Sequence, residues 1–248
     1  MTLKLPQIIG HRGSAAYAPE NTLEGIRAAA DMGIEWVELD VKLTKDDVPI
    51  IFHDDTLERT TNGTGAVKDF TLAELKELDA GSWFSEGFYA TTIPTLEEAL
   101  EVLIELDMGL NLEIKPCPGR ERETAEIALD VLSQYWDDHD KLLISSFSHV
   151  SLEAALEMAS DWHRGFLLPE DWPKNWAELA EYLKVSTINL NGNTVSHEDV
   201  ETALAFGKPI LAYTINDEER AQLLQSWGVH GFFSDAPDEI QGAILTVH

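Results

Sequence analysis

The sequence predicts an α/β protein built as a (β/α)8 TIM barrel, with a small inserted cap between the second strand and its helix. Three observations lead there: about eight short β-branched runs, an amphipathic stretch after nearly every one, and a length of 248 residues, which α/β barrels reach as one domain. The expected organisation is a single barrel domain over residues 1–248, with residues 44–94 forming the cap insertion.

Taken in order, the first strand is Ile8 to Gly10, running into Gly10-His11-Arg12-Gly13. A helix from Leu23 to Met32 follows, with Asn21, three residues before Glu24, as its expected cap. The second strand is Trp36 to Val41, but its helix, Leu96 to Leu106, comes only after a long detour. Loops of such length tend to be functional. The start of that detour, Lys42 to His53, reads as a strand that turns near Asp46 and Asp47 and comes back; with Leu43 opposite Val48, antiparallel counting sets His53 opposite Glu38. Asn62-Gly63-Thr64-Gly65, a short helix Leu72 to Leu78 and Trp83-Phe84 complete a segment expected to cover the barrel mouth. The remaining strands are Leu110 to Ile114, Leu142 to Phe147, Gly165 to Leu168, Thr187 to Leu190, Ile210 to Ile215 and Gly231 to Ser234. Their helices run from Arg122 to Tyr135, Ser151 to Ala159, Trp176 to Leu183, Glu198 to Phe206, Glu218 to Trp227 and Asp238 to Leu245. Thr71 with Glu74, Thr95 with Glu98 and Ser196 with Asp199 have the spacing of reciprocal capping boxes.

Forty-five acidic residues against 17 basic ones leave a formal net charge of -28. Such a surface repels nucleic acid and anionic bilayers, so neither is an expected partner, and a phosphate-bearing small molecule would need local positive charge to bind. The single cysteine, Cys117, rules out an internal disulfide or a multi-cysteine metal site and reads as an incidental small hydrophobe. The start, Met1-Thr2-Leu3-Lys4-Leu5-Pro6, carries no long apolar region, and no stretch approaches the roughly 20 apolar residues of a membrane span. No signal peptide and no membrane insertion are expected, and the expected location is cytoplasmic.

Barrel chemistry sits at the carboxyl ends of the strands, so His11, Arg12, Asp40, Glu113, Lys115, Ser146 and Asp235 should converge on one mouth. Glu38 and Asp40 are two apart and share a face, where two bare carboxylates repel. Either salt bridges to Lys42, Lys115 or Arg12 relieve this, or a divalent cation does; Glu113 as a third acid favours the cation, and oxygen-only ligands suit Ca2+ or Mg2+ over zinc. His11 and His53 are the groups for proton transfer, on segments expected to meet. Asp54 either orients His53 or shapes the turn. Arg12, through its planar fork, and Lys115, as a point charge, suit phosphate oxygens or balance the three acids. Trp83, Phe84, Phe147 and Tyr213 are either a wall for a substrate's alcohol or core. The other histidines, His139, His149, His163, His197, His230 and His248, receive no role.

The motifs Gly10-His11-Arg12-Gly13, Pro19-Glu20-Asn21-Thr22, Glu38-Leu39-Asp40-Val41, Phe52-His53-Asp54, Arg59-Thr60-Thr61-Asn62-Gly63, Pro94-Thr95-Leu96-Glu97-Glu98 and Glu113-Ile114-Lys115 follow one another along nearly the whole chain. In this set the sequence resembles the glycerophosphodiester phosphodiesterase family. The resemblance implies a (β/α)8 barrel with a cap between the second strand and its helix. It also implies hydrolysis of deacylated phospholipids to sn-glycerol 3-phosphate and an alcohol. It matches the family's paired histidines to His11 and His53, its carboxylates for one divalent cation, Mg2+ or Ca2+, to Glu38, Asp40 and Glu113, and its phosphate-binding residues to Arg12 and Lys115. Tyr213-Thr214-Ile215-Asn216 stands where the family often has Trp-Thr-x-Asn, and Ser234-Asp235 where it commonly has Thr-Asp. A phosphoinositide-type phospholipase C relative fits the acidic surface poorly, and a phospholipase D-like toxin would carry a signal peptide. A non-catalytic binder of glycerophosphodiesters needs no histidine pair.

Overall fold

In a computed structural model of the chain, residues 2–245 are described, and Met1 and His248 lie outside them. Eight parallel strands close a barrel: β1 (Ile8–Gly10), β2 (Trp36–Leu43), β4 (Gly109–Ile114), β5 (Leu142–Ser146), β6 (His163–Leu167), β7 (Thr187–Asn191), β8 (Ile210–Tyr213) and β9 (Gly231–Ser234). Pairing of Gly10 with Val37 closes the ring between β1 and β2. The short β3 (Pro49–Ile51) adds antiparallel to the upper end of β2.

Helices α1 (Leu23–Asp31), α3 (Leu96–Glu105), α4 (Glu121–Tyr135), α5 (His149–Met158), α6 (Trp176–Tyr182), α7 (His197–Leu204), α8 (Glu218–Ser226) and α9 (Pro237–Leu245) surround the barrel, while α2 (Leu72–Leu75) belongs to the segment after β3. They begin where the capping chemistry dictates. Thr71 with Glu74, Thr95 with Glu98 and Ser196 with Asp199 all form reciprocal boxes. At α1 the expectation is corrected: Thr22 is the cap and takes Gly25 N–H, whereas Asn21 sits at φ 56° and sends its side chain to Asp40. An Asn tolerates the left-handed backbone there and frees its amide for work in the barrel mouth.

Strands and helices share one apolar layer. Leu39, Leu110, Leu112, Ile144 and Ile188 on the strands meet Ile26, Leu100, Leu129 and Leu152 on the helices, all buried to 2% or less. Truncating one of these to Ala costs about 2–5 kcal/mol. Every residue of β2 is buried, including Glu38, Asp40 and Lys42 on the face opposite Val37, Leu39 and Val41. Strand alternation thus places a polar column inside a barrel whose outer face is apolar.

Residues 44–94 gather around a smaller core of Ile50, Phe52, Leu57, Val67, Leu75, Ala80 and Ile93. The antiparallel register differs from the expected count by one: Leu43 faces Pro49 and Val41 faces Ile51. Thr44 and Asp47, the latter at φ 63°, hold the extra turn residue, with the Thr44 hydroxyl accepting Val48 N–H and the Thr44 N–H donating to the Val48 carbonyl. The ladder ends at Phe52, whose N–H donates to Asp40 carbonyl, so His53 is not a cross-strand partner of Glu38 but the first residue past the ladder. It reaches the mouth all the same. No helix among the described residues is long and apolar enough to cross a membrane.

Candidate active site

Seven expected residues meet at the carboxyl end of the barrel. His11, Arg12, Glu38, His53, Glu113 and Lys115 line a cavity of about 150 Å³, and Asp40 lies buried beneath Arg12. The loop after β1 can bring His11 and Arg12 inward because its backbone turns sharply. Arg12 has φ 50° and Gly13 φ 92°, and a Cβ on Gly13 would stand 2.7 Å from Gly25 carbonyl carbon. Only glycine fits.

Oxygens of Glu38, Asp40 and Glu113 lie within 4.8 Å of one another, all buried. Burial pushes Glu38 well above the usual carboxylate range, and the neighbouring Asp40 and Glu113 charges push further. Glu113 is raised for the same reasons, burial first and Asp40 next, with Lys115 opposing. Burial raises Asp40 too, but Arg12, then His53 and Lys115, and the Asn21 hydrogen bond outweigh it and leave it lowered. The bridges anticipated as an alternative to a cation do form in part, Lys115 Nζ to Glu113 at 3.1 Å and Arg12 Nε to Asp40 at 3.4 Å. They leave the cluster incomplete: Glu38 Oε1 is buried and has no hydrogen-bond partner. Lys42, the third expected partner, is fully buried and reaches Asp55 instead, at 2.7 Å.

Each histidine is backed by an aspartate. His11 Nδ1 lies 2.6 Å from Asp235 Oδ1, and His53 Nδ1 lies 2.6 Å from Asp54 Oδ1. Asp54 therefore orients His53, and it is itself clamped by Arg59 through bonds of 2.7 and 2.9 Å. Arg59 also grips both oxygens of Glu20 at 2.7 Å, and Glu20 Oε1 accepts from Arg12 at 2.7 Å. One continuous ionic chain joins His53 to Arg12. Burial lowers the His53 imidazole below its ordinary value, with Arg12 and Lys115 adding to this and Asp40 opposing.

One expectation about strand ends changes. Ser146 points away from the mouth and bonds Ile114 carbonyl at 2.7 Å, while its neighbour Ser145 lines the cavity. Alternation along β5 decides this, since Leu143 and Ser145 share the inner face. Asn111, on β4 two residues before Glu113, also lines the cavity and was not anticipated. Its signal lay in the same two-residue spacing that paired Glu38 with Asp40. Phe147 and Tyr213 line this inner cavity, their rings 5.6 Å apart, with Lys115 Nζ 5.4 Å from the Phe147 ring centre. Trp83 and Phe84 line a second, outer cleft of about 480 Å³, which shares His11 and Arg12 with the first and adds Asn216, Asp235 and Glu239. Cys117 is buried, its thiol pushed up by that burial, and touches neither space.

Comparison with known proteins agrees with this geometry. The profile of the glycerophosphoryl diester phosphodiesterase family matches residues 11–239. A glycerophosphodiester phosphodiesterase of Caldanaerobacter subterraneus is 35% identical over 237 residues, covering 94% of this chain and 95% of that protein. The structure of an Oleispira antarctica phosphodiesterase in complex with its product sn-glycerol 3-phosphate superposes with a TM-score of 0.93 at 45% identity, over 98% of each chain. A Thermotoga maritima glycerophosphodiester phosphodiesterase superposes with a TM-score of 0.75 at 27% identity, over 96% of this chain and 98% of that one. On the strength of the family match along almost its whole length, this chain belongs to the glycerophosphoryl diester phosphodiesterase family and is a phosphodiesterase.

Proposed function

We propose that the enzyme hydrolyses glycerophosphodiesters, the deacylated phospholipids, to sn-glycerol 3-phosphate and an alcohol, and that it requires one divalent cation, Mg2+ or Ca2+. The observation that carries this is two aspartate-backed histidines, three carboxylates and two cationic side chains around one cavity. The product bound by the Oleispira antarctica relative supports the same substrate class.

Glu38, Asp40 and Glu113 would hold the cation. The unpartnered, buried Glu38 Oε1 and the mutual repulsion of three carboxylates support that fit, and their all-oxygen donor set suits a hard ion. When bound, the cation supplies positive charge that polarises a non-bridging phosphate oxygen.

The chain's own groups do the rest. Arg12 and Lys115 line the same cavity; Arg12 Nε makes no hydrogen bond beyond its 3.4 Å ion pair with Asp40, and Lys115 Nζ, bonded to Glu113, keeps further N–H donors, so both bring positive charge to phosphate oxygens and to the charge that grows on them in the transition state. Asp235 and Asp54 accept from the Nδ1 atoms of His11 and His53, which leaves each Nε2 to carry the reacting proton. One ring takes a proton from the attacking oxygen, and the other gives one to the departing alcohol oxygen. The 44–94 segment acts as the cap, supplying His53 from one end and the Trp83 and Phe84 wall of the outer cleft from the middle. That cleft would receive the departing alcohol. The acidic surface supports a water-soluble ester as substrate, and the single free cysteine supports work in a reducing compartment, the cytoplasm.

Coupling sn-glycerol 3-phosphate release to a dehydrogenase, across choline, ethanolamine, glycerol and inositol esters, tests the reading. Release is expected with Ca2+ or Mg2+ and not in EDTA. No release from any ester with either ion would overturn it.

A further inference from the structure

We propose that Asn111 is the residue that recognises the glycerol end of the substrate, by accepting a hydrogen bond from the terminal hydroxyl, the one farthest from the phosphate. This rests on the reading of the enzyme as a glycerophosphodiesterase. Asn111 is fully buried, yet its side chain lines the inner cavity together with both histidines, Glu113 and Lys115. Its Nδ2 donates to Ser145 Oγ at 2.8 Å, and that bond fixes the plane of the amide. Its Oδ1 has no hydrogen-bond partner. A buried acceptor without a donor is costly, so this oxygen awaits one from whatever fills the cavity.

The spacing supports a glycerol hydroxyl as that donor. Asn111 lies two residues below Glu113 on β4, about 6.6 Å along the strand, a span suited to a three-carbon backbone hanging inward from a phosphate at the mouth. Phe233 walls the cavity, and Asn111, paired with Glu38 across the sheet, and Ser145, paired with Glu113, are the uncharged polar groups of β4 and β5 that line it. The outer cleft, larger and lined by Trp83 and Phe84, leaves the variable alcohol on the other side of the phosphate. A site that hydrogen-bonds a hydroxyl discriminates strongly against the analogue lacking it, because its own buried acceptor is then left bare.

The test compares glycerophosphocholine with 2-hydroxyethyl phosphocholine, which keeps the hydroxyl next to the ester carbon and lacks the terminal hydroxymethyl. The wild-type enzyme is expected to show a kcat/KM lower by roughly 10- to 100-fold on the shorter ester. Asn111→Leu, and Asn111→Ser should Leu disturb the barrel, are expected to lose that factor on glycerophosphocholine while the shorter ester changes less than about threefold. Equal wild-type rates on both esters, as a buried water on Asn111 would give, overturn the proposal without needing any variant. So does a parallel fall on both esters in the variants, the mark of a purely structural role. Loss of the cation-induced rise in melting temperature in Asn111→Leu overturns it as well, by assigning the residue to the metal cluster. Failure of the wild type on both esters, and on the ethanolamine, glycerol and inositol glycerophosphodiesters as well, refutes instead the underlying glycerophosphodiesterase reading.

Discussion

Asp235 stands 224 residues from His11 in the chain, and its Oδ1 lies 2.6 Å from His11 Nδ1. Its other oxygen accepts from Asn216 Nδ2 at 2.6 Å, and its backbone N–H donates to Asn216 Oδ1 at 2.9 Å. The carboxylate is therefore locked in rotation, and it locks the imidazole. Burial pushes this carboxyl up, but His11, by hydrogen bond and charge, and then Asn216 outweigh it and hold it lowered and ionised.

Asp235→Asn is expected to lower kcat by about 10- to 100-fold with KM changed less than about threefold, since the lost group orients a proton carrier and does not bind substrate. Steady-state kinetics on glycerophosphocholine checks this, with circular dichroism to confirm the fold. A wild-type kcat would remove Asp235 from the site.

Replacing the proton carriers themselves should cost more. His11→Ala and His53→Ala are each expected to reduce kcat by about 10²- to 10⁴-fold while leaving the melting temperature within a few degrees, because both rings are partly exposed in an open cavity. A His53→Ala enzyme with normal kcat contradicts its role.

Three buried carboxylates with oxygens within 4.8 Å of one another destabilise the metal-free protein, and a cation reverses that. Thermal unfolding in EDTA should therefore rise on adding Ca2+ or Mg2+, by the mass-action gain of about 2.7 kcal/mol at a hundredfold excess over Kd. Glu38→Gln should raise the melting temperature in EDTA, by removing repulsion, and shrink the response to the ion. The same unfolding curves read both effects, and a Glu38→Gln response equal to the wild type's would count against the cluster.

The Arg59 clamp gives a pH prediction. Asp54 is lowered, chiefly by its hydrogen bond from Arg59, with burial opposing. A depressed acid stabilises the fold above its unfolded pKa, near 3.9, and that stability is lost as pH falls through the folded value. The melting-temperature difference between wild type and Arg59→Gln should thus be full at pH 6 to 7 and shrink below about pH 4. With Arg59 45% exposed, solvent screening limits it to about 1 kcal/mol. A difference that grows in acid would show that the clamp is not ionic.

Much of this architecture was readable from residue order. Strands β1 and β9 begin and end where β-branched and aromatic runs do, the capping boxes at Thr71 and Thr95 start their helices at the expected Leu72 and Leu96, and the box at Ser196 starts its helix one residue early, at His197. These are local matters, decided within a few residues by sterics and by backbone donors seeking acceptors. The convergence of His11, Arg12, Glu38, His53, Glu113 and Lys115 was also legible, because a parallel barrel brings all strand ends to one rim.

What stayed hidden depends on rotation and register. Asn21 left the helix cap to Thr22 because only the folded barrel places Asp40 within reach. One extra turn residue before β3 shifted the count that paired His53 with Glu38. Ser145 rather than Ser146 faces inward because a strand alternates, and one residue of error in its phase exchanges the faces.

The sequence by itself determined the barrel, its order of elements and the chemical kinds of group at its mouth, since periodicity, capping and strand-end placement are short-range. Only the tertiary structure decided which aspartate holds which imidazole, that Arg59 and Glu20 link His53 to Arg12, and that Asn111 faces the cavity with an oxygen to spare. Those contacts join residues far apart in the chain, and their formation depends on angles that closing the barrel alone sets.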